Sequence, residues 1–68
     1  MKLKELKPVI RSITGGIQLC IVFDFNEARD LDKGCSVEYA YEIYGERTVR
    51  RVSSIFVDGR SYILFTIE

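Results

Sequence analysis

Leu3, Leu6, Ile10 and Ile13 follow one another at steps of three, four and three, the spacing of one stripe along an amphipathic helix. MKLKELKPVIRSITGG therefore predicts an N-terminal helix with Lys2, Lys4, Glu5, Lys7 and Arg11 facing water. Pro8 lacks an N–H and crowds the carbonyl of Lys4, so the helix kinks there or starts near it. Gly15 and Gly16 supply a left-handed stop. The period then changes to two. Ile17, Leu19, Ile21, Phe23 and Phe25 share one parity and Gln18, Cys20, Val22 and Asp24 the other, which predicts a strand.

NEARDLDKG carries charge throughout and turn residues at both ends, and reads as a loop, with Asn26 available to cap one helical turn. CSVEYAYEIY alternates again, with Val37, Tyr39, Tyr41 and Ile43 against Ser36, Glu38, Ala40 and Glu42, and predicts a second strand. Gly45–Glu46 and Asp58–Gly59 fit two-residue hairpin turns. Those turns set the register of the last three strands, because directly opposed residues share a face. One face then collects Val37, Tyr39, Tyr41, Ile43, Val52, Phe56, Ile63, Phe65 and Ile67 as the core. The other collects Ala40, Tyr44, Val49, Ile55, Val57, Tyr62 and Leu64 among Glu38, Glu42, Arg51 and Ser53. A bulge near Arg50–Arg51 is compatible with this register but not required by it.

The expected architecture is α+β: an N-terminal helix packed on one face of a four-stranded antiparallel sheet, the last three strands a meander. A strongly coiled version would be a small open barrel. One helix with four apolar contacts covers one face only. The face holding Cys20, Val22, Ile55, Tyr62 and Leu64 is expected to stand open.

The chain has 68 residues, a single domain over 1–68. A domain this short buries only about 60 % of its unfolded surface and is marginal unless something such as oligomerisation is added. Lys plus Arg equals Asp plus Glu at 10 each, so a generic attraction to phosphate backbones is missing and an anionic partner needs a local patch. Cys20 and Cys35 lack CxxC spacing, and with no histidine in the chain a zinc site would need external ligands. Both are read as reduced thiols. Residues 1–16 have no apolar stretch of signal-peptide length, and no run is long enough to span a bilayer. The expected compartment is the cytoplasm.

Asp24, Glu27, Asp30 and Asp32 gather in one loop, and DLDKG resembles the start of a calcium loop, but its ligand spacing fails and Glu42, the twelfth residue from Leu31, falls in a predicted strand. A solvated loop is the better reading, and no metal or other cofactor is expected. No nucleophile, base and orienting partner come together, so no catalytic residue is assigned and the protein is not expected to be an enzyme. In RTVRR, Arg47, Arg50 and Arg51 lie beside Tyr39, Tyr41 and Tyr44, a mixture by which sheets hold single-stranded nucleic acid. Surface ion pairs of Arg51 with Glu38 and Glu42 and stacking of Arg50 on Tyr41 are the better reading, because Glu38, Glu42 and Glu46 neutralise the neighbourhood and adjacent arginines on a strand face opposite ways. With Arg60 these make the candidate anion-binding set. Tyr44, Ile55, Tyr62 and Leu64 form the candidate interface, because an exposed apolar patch usually marks one.

MKLKELKPVIRSI, a lysine-rich helical start leading at once into short strands, resembles small accessory proteins of phages and prophages of Gram-positive bacteria. The resemblance covers about the first 13 residues and the overall layout. It implies stoichiometric binding, as in anti-CRISPR and other anti-defence inhibitors, with a bacterial host protein as partner, and it transfers no functional residue. The leading expectation is a non-enzymatic binding protein that self-associates or docks through its outer sheet face, away from any membrane. Two alternatives are a nucleic-acid-binding module using Arg47, Arg50, Arg51 and the tyrosines, and an oligomeric sponge for a nucleotide signal with Lys33, Arg47 and Arg60 on the phosphates.

Overall fold

A computed structural model describes residues 1–10, 12 and 15–68. A 3-10 turn, Leu3–Leu6, opens the chain, followed by β1 (Leu19–Asp24), β2 (Arg29–Ser36), α1 (Val37–Tyr44), β3 (Val49–Val57) and β4 (Arg60–Ile67). The sheet order is β2-β1-β4-β3. β1 runs antiparallel to β2 and β3 antiparallel to β4, but β1 and β4 are parallel. The α+β class holds, and the sheet is mixed rather than antiparallel. Two hairpins lie side by side, and the chain passes between them through α1. No barrel closes, because β2 and β3 remain edges.

The largest departure from the sequence expectation is the segment read as a second strand. Val37, Ala40, Tyr41 and Tyr44 also sit at helical spacing, and Ser36 precedes them as a cap that accepts a hydrogen bond from the Tyr39 N–H at 3.1 Å. The helix buries Val37, Ala40 and Tyr41 and leaves Tyr39 and Ile43 exposed, so the two-residue alternation is not the period that sorts inside from outside. Of NEARDLDKG only residues 26–28 lie in a turn; the rest belongs to β2, since Arg29–Ser36 pairs with β1. Register shifts skip Leu31 and Gly34. The first shift turns Leu31 toward the core, against which it packs half-buried, and Gly34 takes φ +93°, a bulge conformation suited to glycine.

The β3–β4 hairpin follows the sequence register, with Ser53 opposite Leu64, Ile55 opposite Tyr62 and Val57 opposite Arg60. Asp58 (φ 50°) and Gly59 (φ 79°) make its turn. A bulge lies between Val49 and Arg51, moving Val49 from the expected outer face to pack against the core. Gly45–Glu46 makes no hairpin. Gly45 ends α1 at φ −57°, where an added Cβ would run into the Tyr41 carbonyl oxygen and lie 3.3 Å from Lys4 Cβ. Replacing Gly45 by alanine is expected to destabilise the fold by about 1–3 kcal/mol through overpacking. Urea denaturation would register this as a lower midpoint at unchanged slope; an unmoved midpoint would mean the junction has room.

The core lies on one side of the sheet. Cys20, Val22, Ile63, Phe65 and Ile67 point from the central strands toward α1 and the N-terminal segment, which contributes Leu3, Leu6 and Ile10. The expected stripe is thus present at its first three positions, and Ile13 lies outside the described residues, as do Arg11 and Thr14. The N-terminal helix is not continuous across Pro8: the 3-10 turn Leu3–Leu6 gives way to turn residues, and helical backbone resumes at Ile10 and Ser12, close to Pro8 as one of the two sequence readings had it. Val9 N–H bonds to Leu6 O (3.0 Å) and Ser12 N–H to Val9 O (3.1 Å), and Pro8, without an N–H, donates no backbone bond. Backbone bonds tie this segment to the turn after α1: Leu3 N–H to Arg47 O (2.9 Å), Lys4 N–H to Gly45 O (3.0 Å) and Val49 N–H to Met1 O (2.7 Å). Lys2 and Lys4 both pair with Glu46 and hold its carboxyl down to about 2, although these exposed pairs add little to stability. The molecule measures 28 × 26 × 18 Å. Its thin dimension has room for one helical layer on one sheet and no third layer.

A candidate interaction face

Sheet parity sends the remaining side chains of the central strands to the uncovered side. Cys20, Val22 and Asp24 are buried under the helical layer, so Ile21 and Phe23 emerge on the opposite face, beside Leu64 and Thr66 of β4 in parallel register. This reverses the sequence assignment for β1, in which Cys20 and Val22 were to lie on the open face. The strand is apolar on both sides because it is central in the sheet, and parity alone does not say which side the helix takes. Asp24 pointed the other way, because a carboxylate on that parity argues for solvent unless it is paired. It is buried at 4 % exposure and ends the core side of the strand.

Ile55 and Val57 complete the open face from β3, and Lys33 and Asp30 border it from β2. Together with Ile21, Phe23, Leu64 and Thr66 they enclose a shallow, mostly apolar hollow of about 490 Å³. Lys33 and Asp30 form an exposed ion pair at 3.6 Å, so the charge bordering the hollow is neutralised locally. Tyr62 lies on the same face, its ring 3.7 Å from where a Cβ on Gly34 would be. The tyrosine therefore reaches across β1 to the bulge of β2, and the missing side chain gives it room. Of the expected interface residues, Ile55, Tyr62 and Leu64 share this face. Tyr44 does not: it is on α1, partly buried against the core, because its segment is a helix. Phe56, expected in the core, is 73 % exposed, since it points to the helix side beyond the end of the helical cover.

The four arginines divide. Arg47 donates from Nη2 to Asp24 Oδ2 at 2.8 Å and from Nε to the Glu68 carbonyl at 3.1 Å. Asp24 Oδ1 accepts from the backbone N–H of Asn26 and Glu27 at 2.8 and 3.2 Å, which closes the β1–β2 turn. The Arg47 hydrogen bond, with those two N–H groups, holds the Asp24 carboxyl below the usual carboxylate range. Arg50 stacks on Phe25, its guanidinium carbon 3.8 Å from the ring centre, and pairs with Glu68 at 3.1 Å, rather than stacking on Tyr41. Arg51 and Arg60 fall on the open face, opposite Thr66 and Val57, and make no ion pair among the described residues. Arg47 and Arg50 are thus engaged within the fold, and the three tyrosines expected beside them lie on α1. The arrangement of arginines interleaved with tyrosines expected for base stacking is therefore not assembled within the chain.

The acidic residues are likewise distributed. Glu27 pairs with Arg29, and among the described residues no group of three or more His, Cys, Asp or Glu could hold a metal ion. No helix among the described residues is long and apolar enough to cross a membrane. No family model, curated protein or solved structure matches this chain, so the reading of the face rests on its own geometry.

Proposed function

We propose that this chain is a small non-enzymatic binding protein that self-associates through the open face of its sheet, a second copy covering that face in the functional form. The observation that carries the reading is the apolar surface formed by Ile21, Phe23, Ile55, Val57 and Leu64, over which the described residues place no layer. Apolar sheet faces of small domains are stabilised by burial, and a single helical layer supplies only one of the two covers required. The face carries Tyr62 as an anchor with a large apolar body and a polar tip. Stoichiometric inhibition of a bacterial host protein, of the phage-accessory kind suggested by MKLKELKPVIRSI, is the cellular role proposed for it, in the cytoplasm and without a cofactor.

Native mass spectrometry of the purified protein tests the reading. The wild type is expected as a dimer or larger species, and Leu64→Asp and Ile55→Asp as monomers with unchanged far-ultraviolet circular dichroism. A buried, unpaired carboxylate at the centre of an interface costs several kcal/mol, enough to reduce association at least a hundredfold. A wild-type monomer at tens of micromolar, or variants that assemble as the wild type does, would overturn self-association through this face.

A further inference from the structure

On the helix side of the sheet, Cys20 and Cys35 are directly opposed in the antiparallel β1–β2 ladder. Their sulfurs are 3.4 Å apart, and both are free thiols. Opposed residues in such a ladder have Cα atoms about 4.5–5.5 Å apart, inside the range of roughly 4.4–6.8 Å that a disulfide spans. The backbone is therefore at bridging distance, and a small rotation of the side chains brings the sulfurs together. The two thiols differ in access. Cys20 is fully buried on a central strand, with its Sγ also 3.8 Å from the Ser36 carbonyl oxygen, whereas Cys35 is half-buried on the edge strand beside the Gly34 bulge.

We propose that Cys20 and Cys35 form a reversible redox site, closing to an intramolecular cross-strand disulfide by exchange with a low-molecular-weight disulfide. The Cys35 thiolate attacks one sulfur of the small disulfide RSSR, giving Cys35–S–S–R and releasing the first RS⁻. The Cys20 thiolate then attacks the Cys35 sulfur, the Cys20–Cys35 bond forms, and the second RS⁻ leaves. The two cysteine protons end on the two RSH products; the protein dithiol is oxidised and RSSR is reduced. Burial pushes both thiols above their ordinary range, which slows the first attack, while the second is intramolecular and favoured by proximity.

The bond would weld the edge strand β2 to the centre of the sheet. It would also fix Ser36, the residue that caps α1, because Ser36 directly follows Cys35. Cross-linking residues 15 apart in the chain restricts the unfolded ensemble, and the expected shift is a rise of roughly 10–20 °C in the thermal midpoint. This site is independent of the open face, from which both sulfurs are turned away.

The test incubates the reduced, native protein with glutathione disulfide, followed by acid quench and mass spectrometry with peptide mapping. The expected product is a chain lighter by two hydrogens, with Cys20 linked to Cys35, both thiols unreactive toward iodoacetamide and a raised thermal midpoint. Cys20→Ala is expected to stop as a glutathione adduct on Cys35, and Cys35→Ser to keep an unmodified Cys20 over the same period. The second variant changes only the half-buried edge position, so it remains informative if the first does not fold. Wild-type protein that stops at the glutathione adduct, links between chains instead of within one, or closes with no rise in midpoint overturns the proposal.

Discussion

Phe65→Ala is expected to leave the protein largely unfolded at room temperature. Phe65 is fully buried at the centre of the sheet, paired with Val22 on one side and Val52 on the other. Its ring meets Tyr41 of α1 with centroids 6.4 Å apart and planes tilted by 49°, an aromatic contact that joins the helix to the sheet. Removing a buried phenyl group costs about 3–5 kcal/mol, while a domain of this length holds only about 3–10 kcal/mol in total. The substitution therefore consumes much or all of the margin. Far-ultraviolet circular dichroism and a urea titration would measure it, and a folded variant with a midpoint near that of the wild type would mean the helix and sheet are joined elsewhere.

Asp24→Asn is expected to lower the thermal midpoint at pH 7 by about 10 °C, with the difference from the wild type shrinking as the solution is acidified. The buried Asp24 carboxylate joins the β1–β2 turn to Arg47 and hence to the segment before β3. Because its folded-state affinity for protons is depressed, the unfolded chain binds the proton more readily. The stabilisation is fully present above the ordinary aspartate value near ~4 and is lost as pH falls below it through the folded value. Asparagine cannot titrate and keeps only the hydrogen-bonding shape. Midpoints measured by calorimetry between neutral pH and about pH 2 would show the two curves converging, with the window set by this depressed carboxyl; curves that stay parallel would assign the acid sensitivity to other groups. Glu46 also titrates low, but it is 68 % exposed at the side chain, so solvent screens its share.

Two local signals in the sequence carried over to the structure almost unchanged. Asp58–Gly59 demanded a tight turn with positive φ, and the strict two-residue geometry of that turn fixed Ile55 opposite Tyr62 and Leu64 beside them. The apolar stripe Leu3, Leu6, Ile10 likewise identified residues that are buried, even though Pro8 broke the regular helix that was to carry them. VEYAYEIY is the opposite case. Eight residues are too few to separate a two-residue from a 3.6-residue period, and both templates found apolar matches. Ser36 before the run and Gly45 after it were helix-ending signals, but they were equally good turn residues.

The sequence by itself determined that one small α+β domain forms, that β3 and β4 pair in a given register, and that an apolar face is left over, because these follow from local backbone preferences and from counting apolar positions. Only the tertiary structure decided which face that is. β1 is apolar on both sides, and its orientation depends on where α1 and the N-terminal segment land, which in turn follows from the parallel pairing of β1 with β4. That long-range pairing also brought Arg47 to Asp24 and separated it from Arg51 and Arg60. The pairing of β2 with β1 set Cys20 against Cys35 across 15 positions of chain. Contacts between distant segments depend on the free energy of the whole assembly, and no local period records them.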